Sequence, residues 1–237
     1  MRQRLDQSVY ERGLTSSRSQ AESTIKLGNV TVNGEVVKKS SHHVSSEDEI
    51  TLVSTESYVS RAGLKLASVA QALHIDFADK IVLDVGSSTG GFTDYALQHG
   101  ASKVYAVDVG TEQLHPSLRS YARIELHEKT DIRDFIPSTV PDVIVMDVSF
   151  ISLRQILPHI ASIAGKQTDI VAMLKPQFEA GKQQVNKGII KNDSVRRQIL
   201  KDFEAWSKQY FVVKDKKDSD VAGSKGNRER FYLLRRQ

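Results

Sequence analysis

The feature that most constrains this chain is the alternation, from about residue 60 onward, of short apolar runs with longer amphipathic stretches. Lys80 to Val85, Lys103 to Asp108, Asp142 to Val148 and Asp169 to Leu174 have strand length and are rich in Val, Ile and Leu. Between and after them, Gly91 to His99, Glu112 to Tyr121, Leu153 to Ala164 and Ser194 to Lys208 read as helices. Such alternation predicts a parallel sheet with helices on both faces, an α/β fold. Phe231-Tyr232-Leu233-Leu234 reads as a last strand. Ligands of such sheets sit at the carboxyl ends of the strands. The residues that end each run are therefore the candidates for chemistry.

The first run ends in Asp84-Val85-Gly86-Ser87-Ser88-Thr89-Gly90-Gly91-Phe92. Glycines there let the backbone turn tightly and let a ligand approach closely. The turn is not the dinucleotide fingerprint, because Ser88 stands where its middle glycine belongs. An acidic strand end followed by a glycine-rich turn suits S-adenosylmethionine, which has no pyrophosphate to cradle. The next run ends in Asp108, where a carboxylate can hold a ribose diol; the same residue type also suits a helix N-cap. Asp147 and Lys175 each follow an apolar strand and project toward one crevice. Ser60-Arg61-Ala62-Gly63-Leu64-Lys65 opens a helix, and Gly226-Asn227-Arg228-Glu229 leads into the last strand.

Before residue 55 the elements are shorter and more polar. Leu5, Val9, Gly13 and Leu14 suggest one helix, and Ser16 or Ser17 can cap a second that runs to Gly28. Val30-Thr31-Val32 and Val36-Val37 flank Asn33-Gly34, a strong short-range hairpin signal. Ile50 to Val53 reads as a closing strand. The formal net charge of +4 is compatible with a nucleic-acid partner without requiring one. With no cysteine, disulfides and thiolate metal sites are excluded. His42-His43 are adjacent, a poor geometry for one ligand set, so no metal is expected. The charged start does not read as a secretory signal, and no apolar run approaches the roughly 18 residues of a membrane span. The expectation is a cytoplasmic monomer with no membrane partner.

The run Arg4-Leu5-Asp6, Gly13-Leu14, Ser17-Arg18, Ala21, Ile25, Gly28, Val30-Thr31-Val32-Asn33-Gly34 and Val37 resembles the RNA-binding module named after ribosomal protein S-four. That resemblance implies a small α+β domain whose RNA contacts are Arg4, Arg18 and Lys26, with the acidic stretch Glu47 to Glu49 turned away. Residues 58 to 237 resemble the TlyA/hemolysin A family, relatives of the FtsJ-type ribose methyltransferases. The resemblance rests on Ser60-Arg61-x-Gly63-Leu64-Lys65, the Asp84–Phe92 turn, Val107-Asp108-Val109-Gly110, Asp147-Val148-Ser149-Phe150-Ile151-Ser152 and Lys175-Pro176-Gln177-Phe178-Glu179. It implies a Rossmann-like methyltransferase domain that uses S-adenosylmethionine for 2′-O-methylation of ribosomal RNA, free or in ribosomal subunits. It also implies a catalytic tetrad, which by motif is Lys65, Asp147, Lys175 and Glu229. The cofactor contacts would be Asp84, Gly86, Ser88, Thr89, Gly90, Gly91, Phe92, Asp108 and Asp131. The last stands where relatives often carry Asn. Arg228 and Arg230, flanking Glu229, would contact RNA phosphate or only neutralise the glutamate. The expected layout is an RNA-binding domain over 1–55, a linker over 56–60 and a methyltransferase domain over 61–237. The segment Ser54 to Tyr58 would serve as a hinge.

The chemistry suits these residue types. A ribose 2′-hydroxyl must lose its proton as it attacks a methyl group. A lysine can take that proton if burial and a second ammonium bring its pKa down. Lys175 is the expected base or orienting group and Lys65 the second cation, with Asp147 and Glu229 orienting the lysines. Three other classes compete. A haemolysin is disfavoured by the absence of a spanning segment or a set of barrel strands. A non-catalytic RNA-binding protein retaining the methyltransferase fold is disfavoured by the intact tetrad, and a small-molecule methyltransferase by the front module. Arg196-Arg197, Lys214, Lys216-Lys217 and Lys225 either extend the RNA surface or form a solvated face.

Overall fold

A computed structural model describes residues 2–15, 17–53, 58–181, 183, 185, 188–221, 223 and 226–237. Ser16, most of the expected hinge and Lys225 therefore lie outside the described residues.

The front module packs two helices on short strands. These are β1 (Gln3–Arg4), α1 (Leu5–Glu11), α2 (Arg18–Lys26), β2 (Val30–Val32), β3 (Glu35–Val36), β4 (His43–Val44) and β5 (Ile50–Leu52). Ser17 Oγ caps α2 by accepting from Gln20 N, as its residue type favours. Asn33 and Gly34 both have positive φ, 52° and 82°, and close the β2–β3 hairpin. Leu5, Val9, Ala21, Ile25, Val30, Val44 and Ile50 form a small core of their own. The acidic turn is structural: Asp48 accepts from Ser45 N and from Asn33 Nδ2.

The second unit runs α3 (Arg61–Ala70), β6 (Ile81–Val85), α4 (Gly91–Gln98), β7 (Lys103–Val107), α5 (Pro116–Arg119), β8 (Ile124–His127), β9 (Val143–Met146), α6 (Leu157–Ile163), β10 (Asp169–Leu174), α7 (Pro176–Glu179), α8 (Asp193–Ser207), β11 (Phe211–Asp218) and β12 (Arg230–Arg236). Among the described residues its sheet has the order β11-β12-β10-β9-β6-β7-β8. The five strands β6 to β10 are parallel, while β11 and β12 are antiparallel additions. Two apolar clusters cover the two faces. Leu64, Leu66, Val69, Phe92 and Tyr95 of α3 and α4 pack on one, and Leu157, Ile160, Leu200 and Phe203 of α6 and α8 on the other.

Several expected elements are corrected. β8 and β11 were not among the strand candidates, and they are the two edges of the sheet. The helix expected over Glu112 to Tyr121 is only Pro116–Arg119, because Pro116 fixes its first turn. The helix expected over Leu153 to Ala164 is a 3₁₀ turn, Leu153–Gln155, followed by α6 with Pro158 in its first turn. The last two strands make the sheet mixed rather than wholly parallel.

Candidate active site

The strand order reverses between β6 and β9: the chain runs outward one way through β7 and β8, then returns to build β9 and β10 on the other side. A crevice opens at such a switch point. Here the close neighbours are the turn after β6 and Asp147 after β9. Gly86 has φ 80°, and a Cβ there would sit 2.9 Å from Asp147 O, so both conformation and space require glycine. Asp147 N in turn donates to Val85 O at 3.0 Å.

Asp108 follows β7. Its Oδ2 accepts from Ser88 N at 2.8 Å and its Oδ1 from Gly110 N at 2.7 Å. Each carboxylate oxygen retains a lone pair for a ligand hydroxyl. Ser88, with φ 46°, also donates from Oγ to Gln113 Oε1 at 3.0 Å. Gly90 and Gly91 face other elements: a Cβ on Gly90 would meet Leu114 and Leu118, and one on Gly91 would meet Ser60 Oγ and Ala62. Neither lines the cavities described next. Their visible role is to let α4 pack closely.

Three adjoining cavities meet at Ser149. The first, about 460 Å³, extends from Gly86 and Ser88 past Asp108 and Val109 to Asp131 and Ile132. The second, about 140 Å³, is bounded by Asp84, Gly86, Ser87, Ser88, Thr89 and Phe92 and reaches Asp147 and Lys175. The third, about 330 Å³, is bounded by Arg61, Lys65, Lys175 and Glu229, with Phe150, Gln177 and Phe178.

The first two fit a nucleoside joined to an amino acid. Asp84 is fully buried; its Oδ2 accepts from Thr93 Oγ1 at 2.6 Å, and its Oδ1 has no partner. Burial pushes this carboxyl up to about 7 despite the Thr93 hydrogen bond, and the charges of Asp147 and Asp108 push the same way. Ser87 Oγ is likewise buried and unpartnered. A ligand ammonium would satisfy both atoms. At the far end, Asp131 is gripped by Arg133 through Nε at 3.0 Å and Nη2 at 2.6 Å. Those side-chain bonds, with the Arg133 backbone N–H, hold its carboxyl down at about 2, so it is always an acceptor.

The four tetrad candidates come together as two ion pairs. Lys175 Nζ lies 2.5 Å from Asp147 Oδ1 and donates to Ser149 Oγ at 2.7 Å. Lys65 Nζ lies 2.5 Å from Glu229 Oε2. Neither ion pair has hydrogen-bond angles, so both are charge contacts; the directed bond of Lys175 goes to Ser149. The register explains the meeting. Leu174 pairs with Arg230, which sets Lys175 and Glu229 at the same end of adjacent strands, and Ala172 pairs with Met146, which brings Asp147 alongside. Lys65, Lys175 and Glu229 are buried, so each cation has its own counter-charge.

Phe150 borders the first and third cavities and is 92% exposed, with a left-handed φ of 66°. That conformation costs a Phe about 1–2 kcal/mol. Its ring centroid is 5.2 Å from that of Phe178. Glu179 braces the same loop, accepting from Ser152 Oγ at 2.6 Å and Leu153 N at 2.7 Å; burial pushes its carboxyl up.

On the front module, Arg4 and Arg18 both hydrogen-bond Asp6, which is 1% exposed. Burial opposes ionisation of Asp6, but the two guanidinium bonds outweigh it and hold the carboxyl below its usual range. The two arginines thus stand on one anchored face, and Lys26 is exposed at the end of α2. Arg61 Nη1 donates to Ser19 Oγ, so a residue of the third cavity also grips α2. Arg228 and Arg230 pair with Asp218 rather than Glu229, and Lys216 pairs with Glu204. Much of the basic C-terminal third is therefore internally compensated.

The family description FtsJ-like methyltransferase matches residues 58–236, and the S4 domain description matches residues 3–50. The chain belongs to the FtsJ-like methyltransferase family. It carries an S4 domain at its amino end, and S-adenosylmethionine is the methyl donor of its catalytic domain. Hemolysin A of Brachyspira hyodysenteriae is 42% identical over 95% of this chain and 97% of the relative. The 16S/23S rRNA (cytidine-2′-O)-methyltransferase TlyA of Mycobacterium tuberculosis is 38% identical over 100% of this chain and 91% of the relative. A provisionally named hemolysin from Streptococcus thermophilus superposes with a TM-score of 0.74 at 38% identity, covering 100% of this chain and 89% of that one.

Sequence reasoning missed Ser149, Gln113, Glu179 and the third-cavity position of Arg61. Ser149 and Glu179 lie inside motifs that were singled out, but their partners come from other loops. Gln113 carried no signal at all.

Proposed function

We propose that this FtsJ-like methyltransferase transfers a methyl group from S-adenosylmethionine to the 2′-hydroxyl of a cytidine in ribosomal RNA, the reaction in the name of the Mycobacterium tuberculosis relative. One observation carries the reading: a buried lysine, Lys175, held by Asp147 and Ser149 where the cavity bordered by Asp108 and Asp131 adjoins the one bordered by Arg61 and Lys65. When bound, S-adenosylmethionine supplies an electrophilic methyl on a sulfonium. Asp108 and Asp131 would hold its adenosine, and Asp84, Gly86, Ser87 and Thr89 would hold its amino-acid end. Gly90, Gly91 and Phe92 shape the turn that carries these groups.

Lys175 Nζ, at the wall shared by the cavities, would orient the ribose hydroxyl toward the bound methyl donor. The proton that this hydroxyl gives up on methylation would pass to the Lys175–Asp147 pair. Lys65, charge-balanced by Glu229, lines the third cavity beside Arg61, whose guanidinium would receive the adjoining phosphate. Most of the rate gain is positional: effective molarities supply roughly 7–11 kcal/mol in well-oriented reactions. The S4 domain, over residues 1–55, docks RNA through Arg4, Arg18 and Lys26. The segment 56–60 joins it to the catalytic domain over 61–237, and the protein acts as a cytoplasmic monomer.

The name hemolysin borne by some relatives suggests a second reading. Among the described residues no helix is long and apolar enough to cross a membrane, so nothing here favours it. The test is incubation of the full chain with S-adenosylmethionine and ribosomal subunits from a strain lacking this enzyme, followed by nucleoside mass spectrometry. A gain of 2′-O-methylcytidine is expected; methyl on a base or on protein overturns the reading.

A further inference from the structure

Among the described residues that line the third cavity, one buried polar atom has neither a hydrogen bond nor an ion pair. Gln177 sits in α7, two residues after Lys175, and its Oε1 is buried with no hydrogen-bond partner. The polar groups around it are committed. Lys65 faces Glu229, Lys175 faces Asp147 and Ser149, and Asn227 donates to Gly188 O and accepts from Ile190 N. A buried amide oxygen left unpaired is unfavourable, and native proteins seldom retain one without a use. The flat rings of Phe150 and Phe178 border the same cavity, which suits a planar ligand.

We propose that Gln177 determines which base is chosen: its carboxamide oxygen accepts a hydrogen bond from the exocyclic amino group of a cytosine turned into this cavity. The proposal rests on the RNA-ribose reading above. A nucleotide whose 2′-hydroxyl meets Lys175 carries its base on the adjacent sugar carbon, within reach of a side chain two residues farther along α7. Cytosine presents an amino donor on its pairing edge, while uracil presents a carbonyl at that position. Two acceptors would then face each other. A site built to hydrogen-bond a polar group rejects the analogue that leaves it unpaired.

The experiment uses the full chain and subunits reconstituted with rRNA carrying either C or U at the mapped target, with cofactor binding measured in parallel. The wild type is expected to methylate C at least about tenfold faster than U. Gln177→Met, similar in size but with no amide, is expected to bind S-adenosylmethionine normally, methylate C more slowly and lose the preference for C. Gln177→Glu keeps an acceptor and is expected to retain the preference at reduced rate. A Gln177→Met enzyme that keeps the wild-type ratio overturns the proposal, as does a Gln177→Glu enzyme that treats C and U alike. A wild type that uses C and U equally overturns it whatever the variants do. A wild type that methylates no rRNA ribose at all instead refutes the underlying reading.

Discussion

Asp84 offers the sharpest physical test of the cofactor site. It is fully buried, its carboxyl is pushed up to about 7, and one of its oxygens is unpartnered. Consider Asp84→Asn, whose amide oxygen still accepts from Thr93. In the unfolded chain the wild-type carboxyl ionises near its ordinary value of about 4. Because the folded value is higher, unfolding releases a proton in the window between, and stability falls as pH rises from about 4 to about 7. At 1.36 kcal/mol per tenfold change in proton affinity, the full penalty above that window is about 4 kcal/mol. Asp84→Asn removes it. Urea denaturation of the cofactor-free protein is expected to find the variant more stable at pH 8, and the two proteins alike near pH 4. The opposite holds for binding. A cofactor ammonium needs the ionised carboxylate, while an α-amino group near 8 loses its own charge above that. Calorimetry is expected to give the wild type about fivefold tighter cofactor binding at pH 7.5 than at pH 6, and Asp84→Asn a weak, nearly flat profile. A flat wild-type profile, or a variant with the wild-type slope, refutes the assignment of Asp84 to the amino-acid end.

Other consequences follow from the same geometry. Phe150→Gly relieves a left-handed backbone, so stability is expected to hold or rise by about 1 kcal/mol. If the ring stacks on a base, methyl transfer is expected to fall about 10- to 100-fold with cofactor affinity unchanged, in line with about 1–3 kcal/mol per stacked base. Glu179→Ala strips Leu153 N and Ser152 Oγ of their acceptor and is expected to destabilise the protein by about 1–3 kcal/mol in denaturant titration, while Glu179→Gln, which keeps an acceptor, recovers most of it. For the S4 domain, Arg18→Ala is expected to weaken RNA binding and to lower the slope of log affinity against log salt by about one, read by filter binding; an unchanged slope removes Arg18 from the interface.

The interior of the sheet was legible in the sequence because strands buried on both faces must be apolar throughout, as Ile81–Val85 and Asp169–Leu174 nearly are. The two strands of this sheet that were missed, Ile124–His127 and Phe211–Asp218, are its edges. There one side needs no partner, and charged residues guard against further pairing. Lysines at 214, 216 and 217 broke the apolar run of β11 for that reason. The hairpin at Asn33-Gly34 was legible because its turn type demands positive φ twice. In the candidate site, residues at strand ends were legible and their pairings were not. That Lys175 stands between Asp147 and Glu229 follows from the β9–β10–β12 register, and Lys65 comes to Glu229 from α3; no single segment encodes either. At Gly90 and Gly91 the fold adds a requirement that motif position did not reveal: side chains there would collide with Leu114 and Leu118 and with the start of α3.

The central claim is that Lys175 acts on a ribose hydroxyl of ribosomal RNA. The most direct measurement is methyl transfer from labelled S-adenosylmethionine to undermethylated ribosomal subunits, comparing the wild type with Lys175→Ala at equal cofactor occupancy. Label in an rRNA ribose that is lost by at least about a hundredfold in the variant is the expected result, the order contributed by a positioned proton-transfer group. Undiminished transfer by Lys175→Ala, or no ribose label from the wild type, would contradict the account.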